Sequence, residues 1–127
     1  MSNHIHAIVS AETGQTVANI VRDFKKYTSK QILTELETDT QESRRQWMLN
    51  RFQYAGSNDK KIMNYRFWQD GYHPELIYSH DFYRQKLNYI HNNPVRQETV
   101  ASPEDYLYSS AVDYAGRKGL LNVIVTG

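Results

Sequence analysis

Apolar and polar positions alternate first near the start of the chain. His4 to Ser10 (HIHAIVS) reads as a strand, and Ala11 to Gln15 as the turn that ends it. Thr16 is placed to cap a helix whose apolar residues Val17, Ile20, Val21, Phe24 and Tyr27 recur at helical spacing and continue through Ile32, Leu33 and Leu36. The outer side of that helix carries Arg22, Lys25, Lys26 and Lys30. After a polar break at Thr38–Glu42, Ser43–Tyr54 predicts a second helix with Trp47, Met48 and Phe52 as its apolar residues, and Gly56–Lys61 a loop. Arg66–Ser79 predicts two short extended pieces around Gly71 and Pro74. Ser79 and Asp81 open a third helix, Phe82 to about Asn93, which Pro94 is expected to stop. Tyr106–Tyr114 predicts a short helical stretch, and the β-branched run Leu120–Thr126 a last strand.

The expectation is therefore an α+β chain. The strand at His4–Val9 should pair with extended segments from Arg66–Ser79, and the main helices should span residues 17–36 and 81–93. The first strand begins so early that no neighbouring strand precedes it, which suggests part of a longer domain lacking an N-terminal strand and helix. Leu120–Thr126 has the composition to cover the exposed sheet edge this leaves, within the chain or across a homodimer.

Composition narrows the function only a little. The 127 residues fit one domain, and the net charge of +1 is far from that of a protein that coats duplex DNA. No stretch approaches the ~20 consecutive apolar residues of a membrane span, and no signal peptide is evident. The absence of cysteine excludes disulfides and thiolate metal sites and is compatible with a cytoplasmic location. Ten tyrosines and two tryptophans supply flat amphipathic rings, suited either to the rim of a small core or to stacking on bases.

Two places carry candidate chemistry. Residues two apart on a strand share a face, so His4 and His6 are placed to bind one divalent cation together; isolated surface histidines are the plainer alternative. On the third helix Tyr83, Leu87 and Ile90 form the expected core face, while Phe82, Lys86, Tyr89 and Asn93 form another. Tyr89 and Asn93 are one turn apart, so a phenol and an amide oxygen point the same way, with Lys86 near enough to meet a phosphate. The plainer alternative is a core-edge tyrosine and an asparagine that ends the helix.

The ordered set Asn3-His4-Ile5-His6, Phe67-Trp68-Gln69, Tyr89-Ile90-His91-Asn92-Asn93-Pro94-Val95-Arg96 and Pro103-Glu104-Asp105-Tyr106 with Ser109-Ser110 resembles the single-tyrosine HUH transposases, in particular the insertion-sequence branch related to REP-associated tyrosine transposases. The similarity runs from residue 1 to about residue 115. It implies a ferredoxin-like (RRM-like) α/β sandwich with an antiparallel sheet, and a DNA transposase that cleaves and rejoins single-stranded, hairpin-forming DNA through a covalent 5′-phosphotyrosine. By the same resemblance Tyr89 matches the nucleophile, and His4, His6 and Asn93 match the ligands of Mg²⁺ or Mn²⁺. Some relatives have Gln at the position of Asn93, and His91 competes for a ligand role. Lys25, Lys26, Lys30, Lys86 and Trp68 are the expected DNA contacts. Two other readings stay open: a catalytically inactive nucleic-acid-binding or dimerisation remnant, and a metal-dependent nuclease that activates water instead of tyrosine.

Overall fold

The computed structural model describes residues 3–57 and 65–126, and they divide into two units, Met1–Ile8 with Pro74–Gly127, and Val9–His73. Most of the loop expected at Gly56–Lys61 lies outside the described residues, and its first two residues end a helix.

The Val9–His73 unit is a helical pair, α1 (Val17–Thr38) and α2 (Arg45–Ser57), packed on each other. Thr16 has extended backbone and its hydroxyl accepts the Asn19 N–H at 3.2 Å, satisfying one of the donors that a helix start leaves unpaired. At the other end Thr38 donates its hydroxyl to the Glu35 carbonyl (3.0 Å) and Arg45 donates to the Glu37 carbonyl (3.0 Å), so the first residue of α2 closes the last turn of α1. The Asp39 carboxylate accepts the Gln41 and Glu42 N–H groups at 2.8 and 3.3 Å and sets the turn between them. Leu49 is the buried apolar residue of α2.

Residues 65–73 lie across this pair as an aromatic layer. The Arg66 N–H donates to the Phe52 carbonyl (2.9 Å), and the Phe67 ring meets Phe52 at 5.1 Å. Trp68 meets Phe24 at 5.9 Å and donates its indole N–H to the Thr28 hydroxyl at 2.9 Å.

In the other unit, α3 (His80–Arg96) is followed by a 3₁₀ turn (Pro103–Asp105) and a short α4 (Ala111–Tyr114), and the 3₁₀ turn packs on both helices. Ser79 caps α3 by accepting the Phe82 N–H at 3.1 Å. Pro94 does not stop α3. It lies two residues before the end, fully buried, and the helix runs on to Arg96. A proline removes the bond to the carbonyl four residues before it and crowds that carbonyl, but its own carbonyl and those after it can still close the helix end. Those are satisfied by Glu98 N–H to Val95 (2.9 Å) and Thr99 N–H to Pro94 (2.9 Å), a Schellman closure with Glu98 in the left-handed region (φ 54).

The sheet expected from the sequence is absent. Among the described residues the only regular structure is helical, with no strand and no ferredoxin-like sandwich. His4–Ser10, the Arg66–Ser79 pieces and Leu120–Thr126 are all unpaired in the strand sense. A strand is stable only with a partner for its backbone groups. Residues 66–68 instead bond to α1 and α2, while the other two segments stay solvated and mostly exposed. Of the helix expected at Tyr106–Tyr114 only Ala111–Tyr114 forms, and the 3₁₀ turn at Pro103–Asp105 precedes that span.

Candidate functional site

His4 and His6 lie on the extended N-terminal segment with ring centroids 4.9 Å apart, edge to face. The same-side placement expected of residues two apart holds although the segment has no sheet behind it. The Asn3 side-chain oxygen lies 2.7 Å from His4 Nδ1. An amide oxygen only accepts, so Nδ1 is the donor in this contact, and in the neutral ring Nε2 is then the nitrogen with the lone pair. His6 has its pKa lowered, chiefly by burial and then by the neighbouring His4 charge, which favours the neutral imidazole that ligates metals.

The His6 ring also meets Tyr89 of α3, centroids 5.7 Å apart and nearly perpendicular. Tyr89 is 46% exposed, and its hydroxyl makes no hydrogen bond among the described residues. The structure thus brings His4, His6 and Tyr89 into one cluster. Asn93, one turn along α3, is only 8% exposed, and its side-chain oxygen accepts from Gln97 Nε2 at 2.9 Å. That oxygen has a second lone pair for another partner. Among the described residues no group of three or more His, Cys, Asp or Glu side chains is arranged for a metal. Imidazole nitrogen suits transition-metal ions better than Mg²⁺, which prefers carboxylates and water.

His91 turns away from this cluster. It is buried, its Nε2 lies 3.0 Å from the Ser110 hydroxyl, its ring packs on Tyr114 at 5.1 Å, and burial lowers its pKa. Tyr83 is also committed elsewhere. Its hydroxyl is 2.7 Å from that of Tyr114 and accepts from Thr126. The Thr126 contact favours the Tyr83 phenolate, but Tyr114 and burial outweigh it and the pKa is raised.

Of the expected DNA contacts in this unit, Lys86 is half-buried, 2.6 Å from the Glu75 carboxylate and 5.0 Å from the Phe82 ring centre. Arg96 is a residue to which sequence reasoning assigned no role. Its guanidinium lies over the Tyr89 ring at 5.7 Å. Seven residues are nearly two full helical turns, so the spacing alone placed it on the nucleophile face.

In the Val9–His73 unit, Lys25 donates to the Gln69 carbonyl at 2.8 Å and to the Gly71 carbonyl, holding the turn that follows Trp68. Lys26 and Lys30 are exposed on α1. Lys25, Lys26 and Trp68 line a shallow recess of about 270 Å³.

Residues 1–55 match the family model of IS200-like transposases. The match takes in His4, His6 and the α1 lysines; Trp68, Lys86, Tyr89 and Asn93 lie beyond it. The match covers less than half of the chain and supports, for that part, a likeness to IS200-like transposases and with it a DNA-processing role in transposition. No curated protein and no solved structure matches the chain significantly. No helix among the described residues is long and apolar enough to cross a membrane.

Proposed function

We propose that this chain, IS200-like transposase sequence over its first 55 residues, cleaves and rejoins single-stranded DNA by forming a covalent bond between Tyr89 and a 5′ phosphate. The observation that carries the reading is the meeting of His6 with Tyr89 at 5.7 Å, which joins the His-x-His segment to a solvent-accessible phenol on α3. The Tyr89 oxygen attacks phosphorus, the bond from phosphorus to the 3′ oxygen breaks, and the phenol proton is lost while the departing 3′ oxygen gains one. The products are a 5′-phosphotyrosine and a free 3′ hydroxyl. One ester replaces another, so a different 3′ hydroxyl reverses the step and rejoins the strand without a nucleotide cofactor.

The site residues divide the remaining work. His4 through Nε2, a ring nitrogen of His6 and the Asn93 oxygen would hold Mg²⁺ or Mn²⁺, which polarises the scissile phosphate. Arg96 places a guanidinium beside the reacting phenol, where it meets phosphate oxygens through paired N–H donors. Lys86, released from Glu75, contacts a neighbouring phosphate. Hairpin-forming DNA as substrate and a homodimer as the working form belong to the same reading.

Incubation with Mn²⁺ and labelled single-stranded hairpin DNA, followed by a denaturing gel, tests it. The wild-type chain should yield a protein–DNA adduct resistant to denaturation. Tyr89→Phe removes only the attacking oxygen, so the adduct should vanish while DNA binding stays within about twofold. His6→Ala should lose metal-dependent cleavage. Cleavage without an adduct would support the hydrolytic nuclease instead, and an adduct persisting in Tyr89→Phe would remove Tyr89 as nucleophile.

A further inference from the structure

Just ahead of α3, the Tyr78 ring lies parallel to Phe82, centroids 4.6 Å apart and planes 15° from each other. Phe82 covers one face of the Tyr78 ring, yet the residue is 75% exposed. The Lys86 ammonium stands 5.0 Å from the Phe82 ring centre. Phe82, Lys86, Tyr89 and Arg96 follow one another along a single stripe of α3. Seven residues separate Phe82 from Tyr89, about 10 Å at the helical rise, or about three steps of a stacked nucleic-acid strand.

We infer that Tyr78, backed by Phe82, is a stacking platform for one base of single-stranded DNA lying within about three nucleotides of the phosphate presented to Tyr89. This rests on the proposed role of Tyr89. The outer Tyr78 face offers a flat, unpartnered π surface, and a parallel ring behind it holds its plane. The cations on the same stripe complement the phosphates that run between base and cleavage point. A base in a duplex has both faces covered by its neighbours, so the platform selects single strands.

The competing explanation is structural. Tyr78 precedes the cap residue Ser79, and an apolar side chain there packs on the first turn of a helix. Tyr78→Leu keeps that contact and removes the flat ring, which separates the two roles. The experiment uses the full chain carrying Tyr89→Phe, so that no adduct forms, and measures Kd for an oligodeoxyadenylate single strand and for an abasic strand of equal length. The parent should prefer the adenine strand. Tyr78→Leu and Tyr78→Ala should weaken adenine-strand binding about 5- to 100-fold and leave abasic binding unchanged, while Tyr78→Phe stays within about twofold of the parent. Undiminished adenine-strand binding in Tyr78→Leu would overturn the platform and leave the Tyr89 chemistry standing. So would an equal loss on both strands, which reports a damaged helix start. A parent that binds neither strand would overturn the single-strand reading itself, and the platform with it.

Discussion

His91 shows how one buried side chain makes stability depend on pH. Its neighbours are the Ser110 hydroxyl and the Tyr114 ring, neither of which compensates a positive charge, and burial lowers its pKa below the ordinary 6.5. The unfolded chain therefore takes up the proton first as pH falls. The stabilisation is fully present above about pH 6.5 and is lost as pH drops through the lowered folded value. His6 shifts the same way and adds to the trend. Urea midpoints should fall between pH 7.5 and 5, and His91→Gln, which keeps a polar partner for Ser110, should flatten the slope. An unchanged slope in that variant would remove His91 as a cause. Gly119 illustrates a different constraint. Its N–H donates to Asp113 Oδ1 at 2.9 Å, and a β-carbon there would come within 2.4 Å of Asp113 Oδ2 and 3.1 Å of a Val112 methyl. Asp113 can swing away only by giving up that bond, so Gly119→Ala should cost about 1–2 kcal/mol in equilibrium unfolding.

At the scale of elements, the helices were legible because local sequence specifies them. Thr16 and Ser79 cap as their residue types predict; α1 starts where expected and runs two residues further, and α3 extends its expected span by one residue at the start and three at the end. The end of α3 was less legible. Proline suggested a stop, but closure depends on the residues after it, and the left-handed position is taken by Glu98 where glycine is usual. Left-handed backbone costs an L-residue about 1–2 kcal/mol, and glycine returns about 0.5–1 kcal/mol of that as unfolded-state entropy. Glu98→Gly should therefore raise stability by up to about 1 kcal/mol, with Glu98→Ala near neutral because it keeps the strain. A lower melting temperature for Glu98→Gly would show that the Glu98 side chain, not its backbone, matters. The strands were misread for the opposite reason. Alternation in HIHAIVS and β-branching in LLNVIVT describe a segment able to pair, but pairing needs a partner that no local pattern specifies. The nearness of His4 and His6 is nevertheless kept, because it depends on an extended backbone and not on a sheet.

At the scale of the whole molecule, the described chain buries few large apolar side chains. Leu49 and Ala111 are its buried hydrophobic residues, while Ile5, Trp47, Leu76, Leu121 and Ile124 are exposed. Apolar burial is the main favourable term in folding, so the free chain should be near the low end of ordinary stability. Such a protein responds visibly to anything that binds its folded form. A ligand present at 100 times its Kd adds about 2.7 kcal/mol, enough to raise the melting temperature by several degrees. If His4 and His6 share an ion, Mn²⁺ should produce such a rise, and His6→Ala should abolish it without DNA present, which separates metal binding from catalysis. Single-stranded DNA should add a further rise that Tyr89→Phe retains, because binding precedes the covalent step. Duplex DNA at the same nucleotide concentration should give a smaller one, since the net charge of +1 offers little non-specific attraction. Differential scanning fluorimetry at fixed ionic strength measures all three shifts. Equal rises with duplex and single strand would count against single-strand selectivity, and a Mn²⁺ rise of the same size in His6→Ala would place the ion somewhere other than the His4–His6 pair.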